Sequence, residues 1–335
     1  MCCQTLTVFL GYRMLNPRKQ VLDRSMRAES VLARPTLGRD LLVSLRPKQW
    51  AKNSLVFLAL LFSANERWSF SDLANASALI WQSFGAFVLF SMAASAQYLA
   101  NDVLDAPRDS HHPRKRYRPI ASGRVPRPVA LALAAALGAG GLAGAYVLAP
   151  LFSLLLAGYL ALMLAYSLSL KHIVIVDVFV IAAGFVLRAA GGALAIAVPI
   201  SPCLYLCTLL GALFLGFAKR RNELAVLQGG AGDHRQILDE YTGGFLDQMI
   251  NVVAASTLIA YSFYTFSAPN LPPNHAMMLT IPFVLYGIFR YLYLIHVKGL
   301  GGSPEEVLFS DGPLVAGIVG WVAVSAGVLL VFRGG

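Results

Sequence analysis

The sequence predicts an all-α, polytopic integral membrane protein with about nine transmembrane helices and a cytoplasmic N-terminus. Three observations lead there. The 335-residue chain is 57% hydrophobic and only 13% charged, whereas a soluble domain carries roughly 25% charged residues. Its mean hydropathy is +0.63, and apolar runs recur along nearly the whole length after residue 50. Lys and Arg, finally, concentrate on alternate connections between those runs. A chain this apolar cannot cover a soluble surface, which excludes a soluble body with a single anchor.

Residues 1–38 are basic, lack helical periodicity and are expected to form a disordered tail, with the membrane domain over 39–335. The apolar stretch 5–10 is too short for a signal-peptide core, so the first span is expected to direct insertion. A helix crossing the hydrocarbon core needs about 20 apolar residues. Apolar runs between polar breaks give candidates at 49–66, 77–100, 127–147, 150–169, 173–197, 203–222, 247–267, 276–297 and 313–332. The first is the weakest, because its uninterrupted apolar core covers only 55–62. The third and fourth are separated by a break near Pro150 and are expected to form a tight helical hairpin.

With the N-terminus inside, the tail and the inner connections hold 23 of the 27 Lys and Arg. Arg67 and Arg333 lie on the opposite face, and Arg188 and Arg290 fall inside spans. This is the positive-inside pattern of a cell membrane protein whose polar loops, and hence its chemistry, face the cytoplasm. The net charge of +10 therefore reads as orientation plus anionic substrate and lipid headgroups, with no nucleic-acid partner expected. Cys2, Cys3, Cys203 and Cys207 have neither disulfide-framework nor zinc-site spacing.

The second span ends in the most informative stretch: Asn101, Asp102, Asp105, Arg108 and Asp109 within nine residues. Helical spacing places Asn101 and Asp105 at i and i+4, with Asp109 at i+8 if the helix persists past Pro107. Asp102 lies about 100° around the axis. Hard oxygen ligands grouped this way suit Mg²⁺, which takes one or two carboxylates and completes its shell with phosphate and water. A solvated helix end explains one acid, but three acids at a helix C-terminus oppose its dipole and call for a counter-cation. The following loop supplies Lys115, Arg116 and Arg118, which can take outer phosphate oxygens. Without those acids it would read as a positive-inside run alone.

Further candidates flank the spans. Arg46, Lys48 and Lys52 precede the first, with Lys48 and Lys52 four apart and able to face the same way. Tyr166 and Lys171 close the fourth span, opposite the acidic helix if the bundle closes; snorkelling is the plain alternative for Lys171. Arg188 cannot stay unpaired inside a span and reaches either substrate or another helix. Asp177 is too far along the same helix to be its direct partner. Tyr241 sits in a polar connection expected to cap the cavity.

At the acidic stretch the pattern Asn-Asp-x-x-Asp-x-x-x-Asp resembles the first signature of the UbiA prenyltransferase superfamily, over roughly residues 40–332. The resemblance implies an α-helical bundle whose cytoplasmic-side cavity binds a prenyl chain and a Mg²⁺-diphosphate. Within it the chain is most similar to the decaprenyl-phosphate phosphoribosyltransferase branch, through Arg46-Pro47-Lys48-Gln49-Trp50-Ala51-Lys52-Asn53 and the basic run from His112 to Gly123. Tyr166, Lys171, Asp177, Arg188 and the group Lys219-Arg220-x-x-Glu223 extend it. Aromatic-acceptor members carry a second pair, Asp-x-x-x-Asp, at the end of the sixth span. Here Lys219, Arg220 and Glu223 stand at that place, favouring a donor with an additional phosphate.

The resemblance implies Mg²⁺-dependent transfer of 5-phosphoribose from phosphoribosyl diphosphate to polyprenyl phosphate, releasing pyrophosphate for arabinan precursor synthesis. It implies Asn101, Asp105 and Asp109 on the metal, Asp102 orienting ribose or water, and Lys115, Arg116, Arg118, Lys171 and Lys219 on phosphates. Partners expected are the two substrates and membrane lipid, with self-association into a homo-oligomer left open. The nearest rival transfers a prenyl group to an aromatic or other small acceptor through the same metal site. A transporter would place its charges near the bilayer midplane, not at one face.

Overall fold

The computed structural model describes residues 36–112, 115–199, 202–228, 236–268, 271–300, 307 and 310–332. The expected tail lies outside the described residues as far as residue 35. The fold is helical throughout: α1 (Leu37–Ser44), a 3-10 run (Pro47–Phe57), α2 (Leu58–Phe62), α3 (Leu73–Asp109), α4 (Arg127–Leu148), α5 (Pro150–Leu168), α6 (Val176–Ala195), α7 (Pro202–Gln228), α8 (Gly243–Ser267), α9 (Ile281–His296) and α10 (Gly312–Phe332). Short 3-10 turns at Lys115–Tyr117, Leu170–His172, Gln236–Glu240 and Ala276–Thr280 join them.

Eight of these helices, counting α9 with the turn before it, are long and apolar enough to cross a membrane. The ninth expected span is not an α-helix of that length. Its 11-residue 3-10 run continues into the 5-residue α2. At about 2.0 Å per 3-10 residue and 1.5 Å per α residue the two extend roughly 30 Å, close to the thickness of the hydrocarbon core. The segment does traverse the bundle: Arg46 at its start pairs with Asp102 near the end of α3. Asn65, just past its finish, donates to Leu329 O and Leu330 O at the far end of α10. The tighter 3-10 winding covers the distance with fewer residues than an α-helix needs.

Close helix approach depends on two adjacent glycines of α6. A Cβ added at Gly192 would stand 2.1 Å from Val56 O on the 3-10 run, and one at Gly191 would stand 2.4 Å from the Phe90 ring of α3. The backbones meet where no side chain fits, the small-residue logic of packing in lipid. Phe90 and Phe152, with Tyr159, fill the adjoining core between α3, α5 and the 3-10 run. A second core joins α6, α7, α8 and α9 with Ile237, Leu238 and Tyr241 of the α7–α8 connection. α4 and α5 form the expected hairpin, with Pro150 as the first residue of α5.

α3 positions the site. Its 37 residues rise about 55 Å at 1.5 Å each, well beyond a hydrocarbon core of about 30 Å. Part of the excess is the last turns, which continue through Pro107 to Asp109 and carry the helix's acids.

Candidate functional site

Three polar groups meet where α3, α6 and α7 end or begin on the loop-rich side. The first is Asn101, Asp105 and Lys171. Asn101 Nδ2 donates to Asp105 Oδ2 at 3.1 Å, and Lys171 Nζ lies 3.4 Å from Asp105 Oδ1. The bundle thus closes as expected, setting Lys171 opposite the acidic helix. Asp105 keeps 27% of its side chain exposed.

The second group is built around Asp102 and Asp109, both buried. Arg46 donates to Asp102 at 2.5 Å, and Arg118 spans Asp102 at 3.2 Å and Asp109 at 2.7 Å. Arg46 adopts a left-handed backbone with φ 54°, and its guanidinium lies over the Tyr98 ring. Asp109 is engaged with Arg118 here, whereas Asn101 and Asp105 bond to each other. At about 100° per residue, position 109 lies about 20° from position 102, 40° from 105 and 80° from 101, which lets Arg118 span Asp102 and Asp109.

The third group surrounds Asp177, which is fully buried. Arg220 Nε donates to Asp177 Oδ2 at 2.7 Å and Arg220 Nη1 to Glu223 Oε2 at 2.6 Å, and Arg220 Nη2 reaches Tyr166 Oη at 3.5 Å. Tyr241 donates to Asp177 Oδ1 at 2.9 Å and accepts the Ile175 backbone N–H at 2.6 Å. Burial foremost pushes the Tyr241 phenol up to about 12. It stays a protonated donor at neutral pH, and its contribution to stability is complete below the ordinary tyrosine value of about 10 and lost as pH rises above it. Ile175 has φ 68° and ψ −46°, with Val176 N bonded to Val174 O at 2.7 Å. That is the rare γ-turn of positive φ, strained for a β-branched residue.

Several sequence candidates take other places. Arg220 is 1% exposed and committed to carboxylates, so it is a structural cation here and not an open phosphate ligand. Tyr241 is buried, with its hydroxyl on Asp177 and the Ile175 backbone. Arg188 gives Nε to Asn53 Oδ1, Nη1 to Gly184 O and Nη2 to Tyr159 Oη, at 2.7, 2.6 and 2.9 Å; it ties the 3-10 run to α5 and α6. Lys48 is exposed and Lys52 half-buried, because three residues per turn in a 3-10 helix set positions four apart about 120° around the axis. Arg108 and Arg116 are exposed, and Lys115 is half-buried beside them in sequence. Lys219 is half-buried. Sequence reasoning gave no role to Asn53 or Tyr159; the demand of a buried guanidinium for three acceptors was the available signal.

Among the described residues no three acidic, His or Cys side chains converge as a ligand set. The Asn101–Asp105 pair still fits Mg²⁺, an ion that takes few protein oxygens and fills its shell with phosphate and water. The half-exposed carboxylate and the neighbouring amide oxygen are hard donors, and Lys171, Arg46 and Arg118 stand close enough in the fold to share an anionic ligand's charge.

Comparison with known proteins agrees with this architecture. Residues 55–298 match the UbiA prenyltransferase family. The decaprenyl-phosphate phosphoribosyltransferase of Mycobacterium tuberculosis is 34% identical over 300 residues, covering 88% of this chain and 97% of that protein. The proteins of the same name from Mycolicibacterium smegmatis and Corynebacterium glutamicum are 31% and 32% identical, covering 87% and 85% of this chain and 94% and 85% of theirs. Among solved structures, a UbiA homolog from Archaeoglobus fulgidus bound to GPP and Mg²⁺ superimposes with a TM-score of 0.65 at 16% identity, over 87% of this chain and 100% of that one. Eight apolar helices, an acid-tipped α3 and similarity across nearly the whole length lead to one conclusion: the chain belongs to the UbiA prenyltransferase family and is a multi-pass membrane transferase.

Proposed function

We propose that the chain transfers 5-phosphoribose from phosphoribosyl diphosphate to a polyprenyl phosphate, releasing pyrophosphate, in the supply of arabinan precursors for a cell wall. The observation that carries the reading is the near end-to-end similarity to decaprenyl-phosphate phosphoribosyltransferases. Lys219, half-buried beside the committed Arg220, is the cation of that group left to favour a donor with an additional phosphate.

Asn101 and Asp105 are the residues that would hold Mg²⁺. When bound, the ion supplies Lewis-acid stabilisation of the charge on departing pyrophosphate. Lys171, beside Asp105, neutralises the same diphosphate from the opposite side. Arg46 and Arg118, oriented by Asp102 and Asp109, take the remaining phosphate oxygens through paired N–H donors. Lys219, Lys48 and Lys52 add positive charge toward the acceptor phosphate. That acceptor is already anionic, so no strong general base is required, and in-line displacement inverts the anomeric carbon. The prenyl tail leaves between helices into lipid. The Lys and Arg distribution favours a cytoplasm-facing site in the cell membrane.

The test uses purified protein with Mg²⁺, polyprenyl phosphate and phosphoribosyl diphosphate labelled in the ribose. Label is expected in the organic phase, and to disappear with EDTA or in Asp105→Ala. Prenylation of an aromatic acceptor from a prenyl diphosphate, without ribose transfer, would sink this substrate assignment.

A further inference from the structure

Ile175 and Lys171 belong to one short connection. Lys171 lies in the 3-10 turn Leu170–His172, and the strained γ-turn centred on Ile175 follows before α6 begins at Val176. The γ-turn is closed locally by Val176 N on Val174 O, but an isoleucine at positive φ is strained and gains nothing from its side chain, the residue being 38% exposed. A group distant in sequence also holds it. Tyr241, 3% exposed, accepts the Ile175 N–H at 2.6 Å and donates to Asp177 Oδ1 at 2.9 Å, gripping the turn on both sides. Its ring stacks on Phe245 at the start of α8, and the preceding turn, Gln236–Glu240, packs against the Lys171 turn. Asp177 is anchored in turn by Arg220 of α7.

We propose that Tyr241 is a positioning residue that sets Lys171 against Asp105. It touches no reacting atom. It fixes the γ-turn, the γ-turn fixes where the 170–172 turn leaves α5, and that determines the 3.4 Å approach of Lys171 Nζ to Asp105. The α7–α8 connection therefore contributes to the diphosphate end of the site through the chain that carries Lys171. The inference rests on the reading of Asp105 and Lys171 as part of the transferase site.

The test is a double-mutant cycle on purified full-length protein: wild type, Tyr241→Phe, Lys171→Gln and the double variant. Phe retains the ring stack and removes only the hydroxyl. In Tyr241→Phe, kcat is expected to fall between about 10- and 100-fold, the scale of a misplaced catalytic group. In the Lys171→Gln background the same change is expected to cost less than about twofold, because residues acting through one another are not additive. Hydrogen exchange, read without substrate, is expected to quicken in the peptide spanning 170–177 in Tyr241→Phe, and little elsewhere in α6. Losses that multiply independently, or unchanged kcat with unchanged exchange at 170–177, would overturn the proposal. The cycle is run on whichever transfer the folded enzyme catalyses. Coupling with a different donor would refute the phosphoribosyl reading alone, and additivity with ribose transfer would refute the positioning role alone.

Discussion

At the residue scale, the strongest single commitment in the structure is the Arg220–Asp177 ion pair, whose side chains are 2% and 0% exposed. Removing one partner of a buried pair costs about 3–5 kcal/mol, because the other is left as an uncompensated charge. Arg220→Met is therefore expected to lower thermal stability in detergent sharply, and Asp177→Leu added to it to recover most of the loss. A stable single variant would mean that Asp177 is solvated or protonated in place. Asp105 makes the opposite case. Its contacts are one amide and a lysine at 3.4 Å, so Asp105→Ala is expected to unfold nothing while cutting transfer by at least about 100-fold, the scale of a lost electrostatic contact to the transition state. A fall in melting temperature matching the fall in rate would expose it as structural. The acids themselves were legible in the sequence, since clustered carboxylates at a span end are costly without a purpose. The pairing of Asp177 with Arg220 was not: no spacing rule connects two residues on different helices, and Lys219 and Arg220 read as open charge until burial is known.

At the element scale, helix type separates what the sequence conveyed from what it did not. Eight spans show themselves by length and hydropathy alone, and the α4–α5 hairpin by its proline. The traversing 3-10 run could not be read the same way. A weak apolar stretch broken by Lys52, Asn53 and Ser54 looks like a poor α-helix, and the face assigned to Lys48 and Lys52 came from the wrong number of residues per turn. The geometry depends on a partner instead: Gly192 admits the Val56 carbonyl, and Arg188 and Ser91 satisfy Asn53. Gly192→Ala is expected to force the run away from α6, at a cost of about 1–3 kcal/mol or more for overpacking. Arg188 and Asn53 bond across that interface, and loss of the monodisperse detergent peak is the expected readout. Gly211→Ala in α7, where nothing lies within 4 Å of an added Cβ, serves as the tolerated control. Equal behaviour of the two would show that the close approach carries no stability.

At the scale of the whole molecule, chain direction and charge together determine which end of the bundle does chemistry. The basic connections after α3 and α5 lie at the end where α3 carries its acids, while the 63–72 connection lies at the other. Seventeen of the Lys and Arg fall in the N-terminal segment through Lys52 and the Arg108–Arg127 stretch, an asymmetry that orients a membrane protein with those segments inside. Orientation is therefore testable without reference to substrate. In a variant with Cys2, Cys3, Cys203 and Cys207 replaced, Ser71→Cys in the 63–72 connection is expected to react with a membrane-impermeant maleimide in intact cells. Ser122→Cys, exposed in the basic connection after α3, is expected to react only once the membrane is opened. Both sites stand at loop positions with room for a thiol, so a silent site cannot be blamed on burial. The reverse pattern would place Asn101, Asp105 and Lys171 outside the cell, away from any cytosolic supply of an activated sugar phosphate. It would then favour a donor that reaches the site through lipid, the one arrangement in which the prenyl-transfer alternative gains over ribose transfer.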